Sequence, residues 1–272
     1  DQNPARRDAC VKSCLHPSDG VQGSYLQNGN KKMDSNEDLD AVLQRAFDES
    51  TRIYKERGFQ RRIGFGKKPA LVSVDLANAW TRPGNPFTCE GIDDRVIPAM
   101  QKLLKACREN GHPVVHITTA YQNTDRDDPT TDMGLWHAKI PVEAVNIEDE
   151  HLWAIDSRIA PIDGEYVLMK KRASAFSGTD LAGYLRAAGV DTILVTGVTV
   201  TACVRTTICD GLAEGFRTIA VKEAIGDRVP GAMAWNLFDI DAKFADVEST
   251  QTCVEYLAVS YTHLTLPTTG SV

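Results

Sequence analysis

The chain has 272 residues, 42% of them hydrophobic and 25% charged, with a formal net charge of −7. That is the composition of a globular protein large enough to bury one sizeable core. An acidic chain without a clustered lysine and arginine surface argues against a nucleic-acid partner, and the sequence has no apolar run near the roughly 20 residues of a membrane span. The expected setting is the cytoplasm, with a small molecule as partner and neither nucleic acid nor membrane. Seven scattered cysteines read as reduced thiols, not a disulfide framework. Cys10 and Cys14 lie close together, but no second pair follows at zinc-ligand spacing.

Residues 1–32 lack either helical or strand periodicity and are expected to be a disordered or non-native extension. Met33 reads as the true start. Behind it Leu39, Val42, Leu43, Ala46, Phe47, Ile53 and Tyr54 form an amphipathic stripe, with Ser35 and Asp38 as a capping pair. From there the pattern alternates. Short apolar runs at 70–76, 113–118, 165–170, 191–197, 217–222 and 244–247 read as strands. Helical stripes follow: Ile92 to Cys107, a helix capped by Thr179 with Leu181 and Leu185 inward, one after Cys203, one from Met233 to Ala242, and one from Ser249 to Leu257. Strands apolar throughout, separated by helices, predict an α/β fold: a doubly wound, mainly parallel sheet with helices on both faces. The Thr- and Ser-rich end, 259–272, is excluded as a non-native tail, leaving residues 33–258 as the expected domain.

In such sheets ligands sit beyond the C-terminal strand ends. Three reactive side chains fall there: Asp75, Lys170 and Cys203. A helix N-terminus and a nearby ammonium both favour thiolate, which predicts a depressed pKa for Cys203. Each residue also has a plainer reading. Cys203 fits as a small core residue, Asp75 as a turn cap, and Lys170 with Lys171 and Arg172 as a solvated edge.

The segments "SVDLANAW" (73–80), "DMGLW" (132–136), "KKRASAFSGTDL" (170–181), "TGVTVTACVR" (196–205), "IGDRVPG" (225–231) and "WNLFDIDAKFADVEST" (235–250) together resemble the cysteine hydrolases of the isochorismatase-like superfamily. The likeness spans roughly Asp34 to Leu257. It includes a leading helix, with "IYKERGFQRRIGFG" (53–66), that many smaller members lack. The resemblance implies a catalytic triad of Asp75, Lys170 and Cys203. It also implies a cis peptide between Val198 and Thr199, and an oxyanion hole from the backbone N–H groups of Thr199 and Cys203. Arg228 matches the family's anchor for a substrate carboxylate, against the plainer reading of an ion pair with Asp227 or Glu223. Trp136 either walls the pocket or packs at a subunit contact. Ala202 and Thr201 stand where relatives carry Gly and a smaller residue, which predicts a narrowed pocket.

No metal or organic cofactor is implied, and the resemblance implies a homo-oligomer, of the tetrameric kind. The expected reaction is hydrolysis of the carbamoyl C–N bond of N-carbamoylsarcosine through a cysteine thioester. Rival readings are an amidase acting on another ureido acid, biuret or nicotinamide, and a non-catalytic doubly wound binding protein. The nicotinamide reading calls for histidine ligands after the second strand, and residues 118–134 contain none.

Overall fold

The structure, a computed structural model, describes residues 39–122 and 132–260. The chain divides into two units, 1–45 and 46–272; of the first, only 39–45 are described, the opening of helix α1 (Leu39–Glu56). The expected start at Met33, its cap at Ser35 and Asp38, and the segments 1–32 and 261–272 lie outside the described residues. Within the second unit, Phe47 and Tyr54 of α1 stack on Phe238 with ring centroids 4.9 and 5.9 Å apart.

Six parallel strands form the sheet: β1 (Pro69–Val74), β2 (Val114–Thr119), β3 (Tyr166–Lys170), β4 (Thr192–Val198), β5 (Arg217–Gly226) and β6 (Asp246–Glu248), in the order β3-β2-β1-β4-β5-β6. Every residue of β1, β2 and β4 is buried, as the unbroken apolar runs require when both sheet faces are covered. Alternation sends Ala70, Val72 and Val74 to one face, where they meet α3 (Leu181–Ala187), α4 (Arg205–Ala213) and α5 (Pro230–Lys243) through Leu185, Ile208 and Ile240. Leu71 points the other way, into a core shared with Met100 and Leu104 of α2 (Ile97–Glu109) and Leu257 of α6 (Thr250–Ser260). The doubly wound parallel sheet expected from the sequence is therefore the fold.

The differences lie at element ends. The stripe expected as one helix from Ile92 opens as a wide helical turn, Ile92–Val96, before α2. Helix α5 starts at Pro230, ahead of Met233, because proline at the first helical position has no N–H to waste there. Thr179 sits one residue before the N-cap, Asp180, yet its Oγ1 accepts from the Leu181 N–H. Strand β5 runs on to Gly226, past a register shift against β4, and β6 begins two residues later than expected and ends one later. Helix α6 continues to Ser260, into the segment set aside as a tail. Among the described residues, no helix is long and apolar enough to cross a membrane.

Chain order reverses between β1 and β4, opening a crevice at their C-terminal ends. Packing there is close: a Cβ on Gly197 would stand 1.9 Å from the Val74 carbonyl oxygen, and Gly197 has φ +105°, so both position and conformation demand glycine.

Candidate active site

Each chemical side chain reaches the crevice from a strand end. Asp75 follows β1 in a left-handed conformation (φ 53°), which aspartate tolerates better than most residues, and its N–H is held by the Ile117 carbonyl at 3.0 Å. Lys170 is the last residue of β3 and is the register partner of Thr119, the last of β2. Cys203 follows β4, inside the turn Val200–Val204 that leads into α4. The peptide between Val198 and Thr199 is cis, as the resemblance implied.

Asp75 and Lys170 are wholly buried and Cys203 is nearly so. The Lys170 ammonium places Nζ 2.9 Å from Asp75 Oδ2, 2.7 Å from Thr119 Oγ1 and 3.4 Å from Cys203 Sγ. Thr119 passes the contact on, donating its hydroxyl to Asp75 Oδ1 at 2.8 Å. Beyond its ion pair with Lys170, Asp75 Oδ2 has no hydrogen-bond partner among the described residues. Carboxylate, ammonium and sulfur are thus within reach of one another in one place, and the solvated-edge reading of Lys170 to Arg172 fails. Lys170 is inside. Lys171 pairs with Asp132 at 2.8 Å and donates to the Ala120 carbonyl, and Arg172 donates to the Asp132 carbonyl at 2.6 Å.

The electrostatics correct one expectation. Burial pushes the Cys203 thiol up to about 12; the Lys170 ammonium pulls it down, and Asp75 adds to the rise. Desolvation of the sulfur outweighs the helix start and the ammonium, so the resting group is a thiol and not the thiolate predicted from its position. A thiol beside an open carboxylate oxygen is the arrangement for base-assisted attack. Burial also works against the Lys170 ammonium, but the Asp75 carboxylate and the sulfur overcome it and hold the group above its ordinary range.

Lys170 and Cys203 open on one cavity, and Asp75, which is not itself on its lining, is paired with Lys170. Thr119, Tyr121, Lys170, Thr199, Ala202 and Cys203 line its reactive side, and Trp80, Phe87, Trp136, Ile140 and Val145 make an apolar wall. Trp136, on the turn Gly134–Ala138, is therefore a wall residue. Arg228 also lines the cavity. Among the described residues it makes no ion pair with Asp227 or Glu223; Asp227 instead accepts from the Arg228 backbone N–H at 2.7 Å. The guanidinium lies over the Phe87 ring at 5.8 Å, and its Nη1 donates to the Phe87 carbonyl at 3.0 Å. Nε and Nη2 make no hydrogen bond among the described residues, which leaves the fork a carboxylate would use.

Ala202 reaches the cavity, but Thr201 does not line it: both its N–H and its hydroxyl bind Asp227 Oδ2, at 3.0 and 2.8 Å. Of the two, Ala202 alone is on the cavity lining. Thr119 and Tyr121 were missed from the sequence, although the strand-end rule, applied to the second strand, leads to both.

The sequence model of the isochorismatase domain matches residues 69–252. The chain is also 53% identical over 220 residues to N-carbamoylsarcosine amidase of Arthrobacter sp, spanning 80% of this chain and 82% of that one. The chain belongs to the isochorismatase family. Another relative, maleamate amidohydrolase of Pseudomonas putida, is 41% identical over 72% of this chain and 90% of its own. Among solved structures, N-carbamoylsarcosine amidase from Thermoplasma acidophilum superposes with a TM-score of 0.54 at 26% identity, covering 67% of this chain and 96% of that one. The family match contains every site residue described above.

Proposed function

We propose that this isochorismatase-family chain is a cysteine-dependent amidohydrolase that cleaves the carbamoyl C–N bond of N-carbamoylsarcosine, giving sarcosine, carbon dioxide and ammonia. The observation that carries the reading is the meeting of Asp75, Lys170 and Cys203, the last two on the lining of a cavity that the Arg228 guanidinium also lines. The named substrates of both relatives, N-carbamoylsarcosine and maleamate, combine a terminal –CONH2 with a carboxylate, and a cavity lined by both Cys203 and Arg228 supports that pairing here.

In the proposed reaction the substrate carboxylate docks on Nε and Nη2 of Arg228, placing the carbamoyl carbon at Cys203. Asp75 takes the thiol proton as sulfur attacks, and Lys170 offsets the charge that accumulates on sulfur and carboxylate. The substrate oxygen turns toward the N–H groups of Thr199 and Cys203, where an oxyanion would be held. Asp75 returns the proton to nitrogen and ammonia departs, leaving the thioester. Water, deprotonated by the same carboxylate, cleaves the thioester to N-carboxysarcosine, which loses carbon dioxide.

The test is ammonia release from N-carbamoylsarcosine, N-carbamoylglycine, maleamate and nicotinamide in parallel. The highest kcat/KM is expected for N-carbamoylsarcosine and the lowest for nicotinamide, which has no carboxylate. Faster turnover of nicotinamide than of any carboxylated amide would overturn the substrate reading.

A further inference from the structure

Tyr121 is a buried polar residue in the cavity for which the proposed reaction has no use. It lies two residues past β2, only 1% exposed, and lines the cavity beside Lys170 and Cys203. Its backbone is pinned: its N–H donates to the Val145 carbonyl at 3.0 Å and its carbonyl accepts from Ile147 at 2.9 Å. The ring is held under the Lys171 ammonium, 5.7 Å from its centroid. Yet the hydroxyl, fully buried, has no hydrogen-bond partner among the described residues. A buried hydroxyl left unpaired is costly, so a cavity that keeps one keeps it for something that arrives.

Its neighbours on the lining narrow the choice: Tyr121 shares the cavity with Thr119, Lys170 and Cys203, and the Lys170 ammonium acts on its phenol. A terminal amide bound there presents one oxygen, which backbone N–H donors can take, and an –NH2 group that needs acceptors. Lysine, arginine and tryptophan side chains only donate, the Thr119 hydroxyl is already engaged by Lys170 and Asp75, and the Asp75 carboxylate is needed for the thiol proton. The side-chain acceptors that remain on the lining are the hydroxyls of Thr199 and Tyr121, and the Tyr121 hydroxyl is the one that is buried with no partner among the described residues.

Building on the proposed function, we propose that the Tyr121 hydroxyl accepts a hydrogen bond from the –NH2 of the scissile carbamoyl group and so makes the site select primary amides over esters of the same acid. An ester offers in that place an alkoxy oxygen, with no N–H to give and little accepting power. The phenol is then a specificity residue and takes no part in bond making.

The test measures binding in the Cys203→Ala background, where no turnover intervenes. N-carbamoylsarcosine and N-(methoxycarbonyl)sarcosine are titrated by calorimetry into Cys203→Ala and into Cys203→Ala/Tyr121→Phe. The expected result is a roughly 5- to 20-fold rise in Kd for the amide, against at most about twofold for the ester. Tyr121→Phe should melt no lower than its parent, since no internal bond is lost. Equal weakening of both ligands, no weakening of either, or a lowered melting temperature would overturn the proposal while leaving the substrate reading intact. Failure of N-carbamoylsarcosine to bind the Cys203→Ala parent would overturn the substrate reading, and this proposal with it.

Discussion

The two ends of the cavity are built on opposite terms. At the triad end Asp75 and Lys170 are without exposure, and Lys170 and Thr119 are committed to neighbours within the protein. Elsewhere on the lining Arg228 is half-buried, rests on an aromatic ring, and keeps two nitrogen positions uncommitted among the described residues. The first arrangement fixes charges where a reaction needs them and spends little on recognition; the second holds a charge ready to be met by a ligand. Losses at the triad end should therefore appear in kcat, and losses at the Arg228 end in KM.

The largest effect is expected from Asp75→Asn, which keeps the shape but removes the base. With the thiol raised to about 12 by burial, no other group in the site is placed to take its proton, and kcat should fall by roughly 10^2- to 10^4-fold. Steady-state ammonia release on protein shown folded by circular dichroism checks this; a fall confined to KM would erase the contrast between the two ends. Next comes Arg228→Ala, expected to raise KM for carboxylated ureas by roughly 10- to 100-fold, the worth of a charge-assisted pair, with little change for uncharged amides. Equal losses on both substrate classes would remove Arg228 from recognition.

Thr119 sharpens the comparison, because it makes no contact with substrate in this account yet joins acid to ammonium. Thr119→Val should lower kcat about tenfold with KM within about twofold, and Thr119→Ser should restore most of the rate, since the hydroxyl and not the methyl carries the link. Serine failing to rescue would reduce Thr119 to packing.

The smallest kinetic effect is expected away from both ends, at Asp156. Its burial opposes ionisation, but the hydrogen bonds from Arg158 prevail and hold the carboxyl at about 2, below its ordinary 3.8. The folded state therefore favours the charged form. That contribution, about 2 kcal/mol, is complete above the ordinary value and is lost as pH falls through about 2. Asp156→Asn should lower unfolding free energy at neutral pH with turnover nearly intact, and the gap from the parent should close between about pH 4 and 2. A gap independent of pH would assign the loss to packing instead of charge.

How much of this was legible depended on the kind of signal. Strands with two buried faces announce themselves as unbroken apolar runs, and β1, β2 and β4 were readable for that reason. The strand-end rule placed Asp75, Lys170 and Cys203 at one edge of the sheet, while the family likeness singled out Arg228 and the cis peptide. Less visible was anything decided by three-dimensional neighbours. Three consecutive cations look alike in a sequence, yet Lys170 is sealed inside while Lys171 and Arg172 fasten the segment at Asp132. The position of Cys203 at a helix start suggested an acidic thiol, and only its burial reverses that. Thr119 and Tyr121 carry no motif; their significance arises from what the adjacent strand and the turn after β4 bring against them.

Cys203 is the proposed attacking group, and the most direct test of that role is the initial rate of ammonia release from N-carbamoylsarcosine by folded Cys203→Ala. A rate at least about 10^3-fold below the parent is predicted. Turnover close to the parent's would contradict the assignment and place the chemistry elsewhere in the cavity.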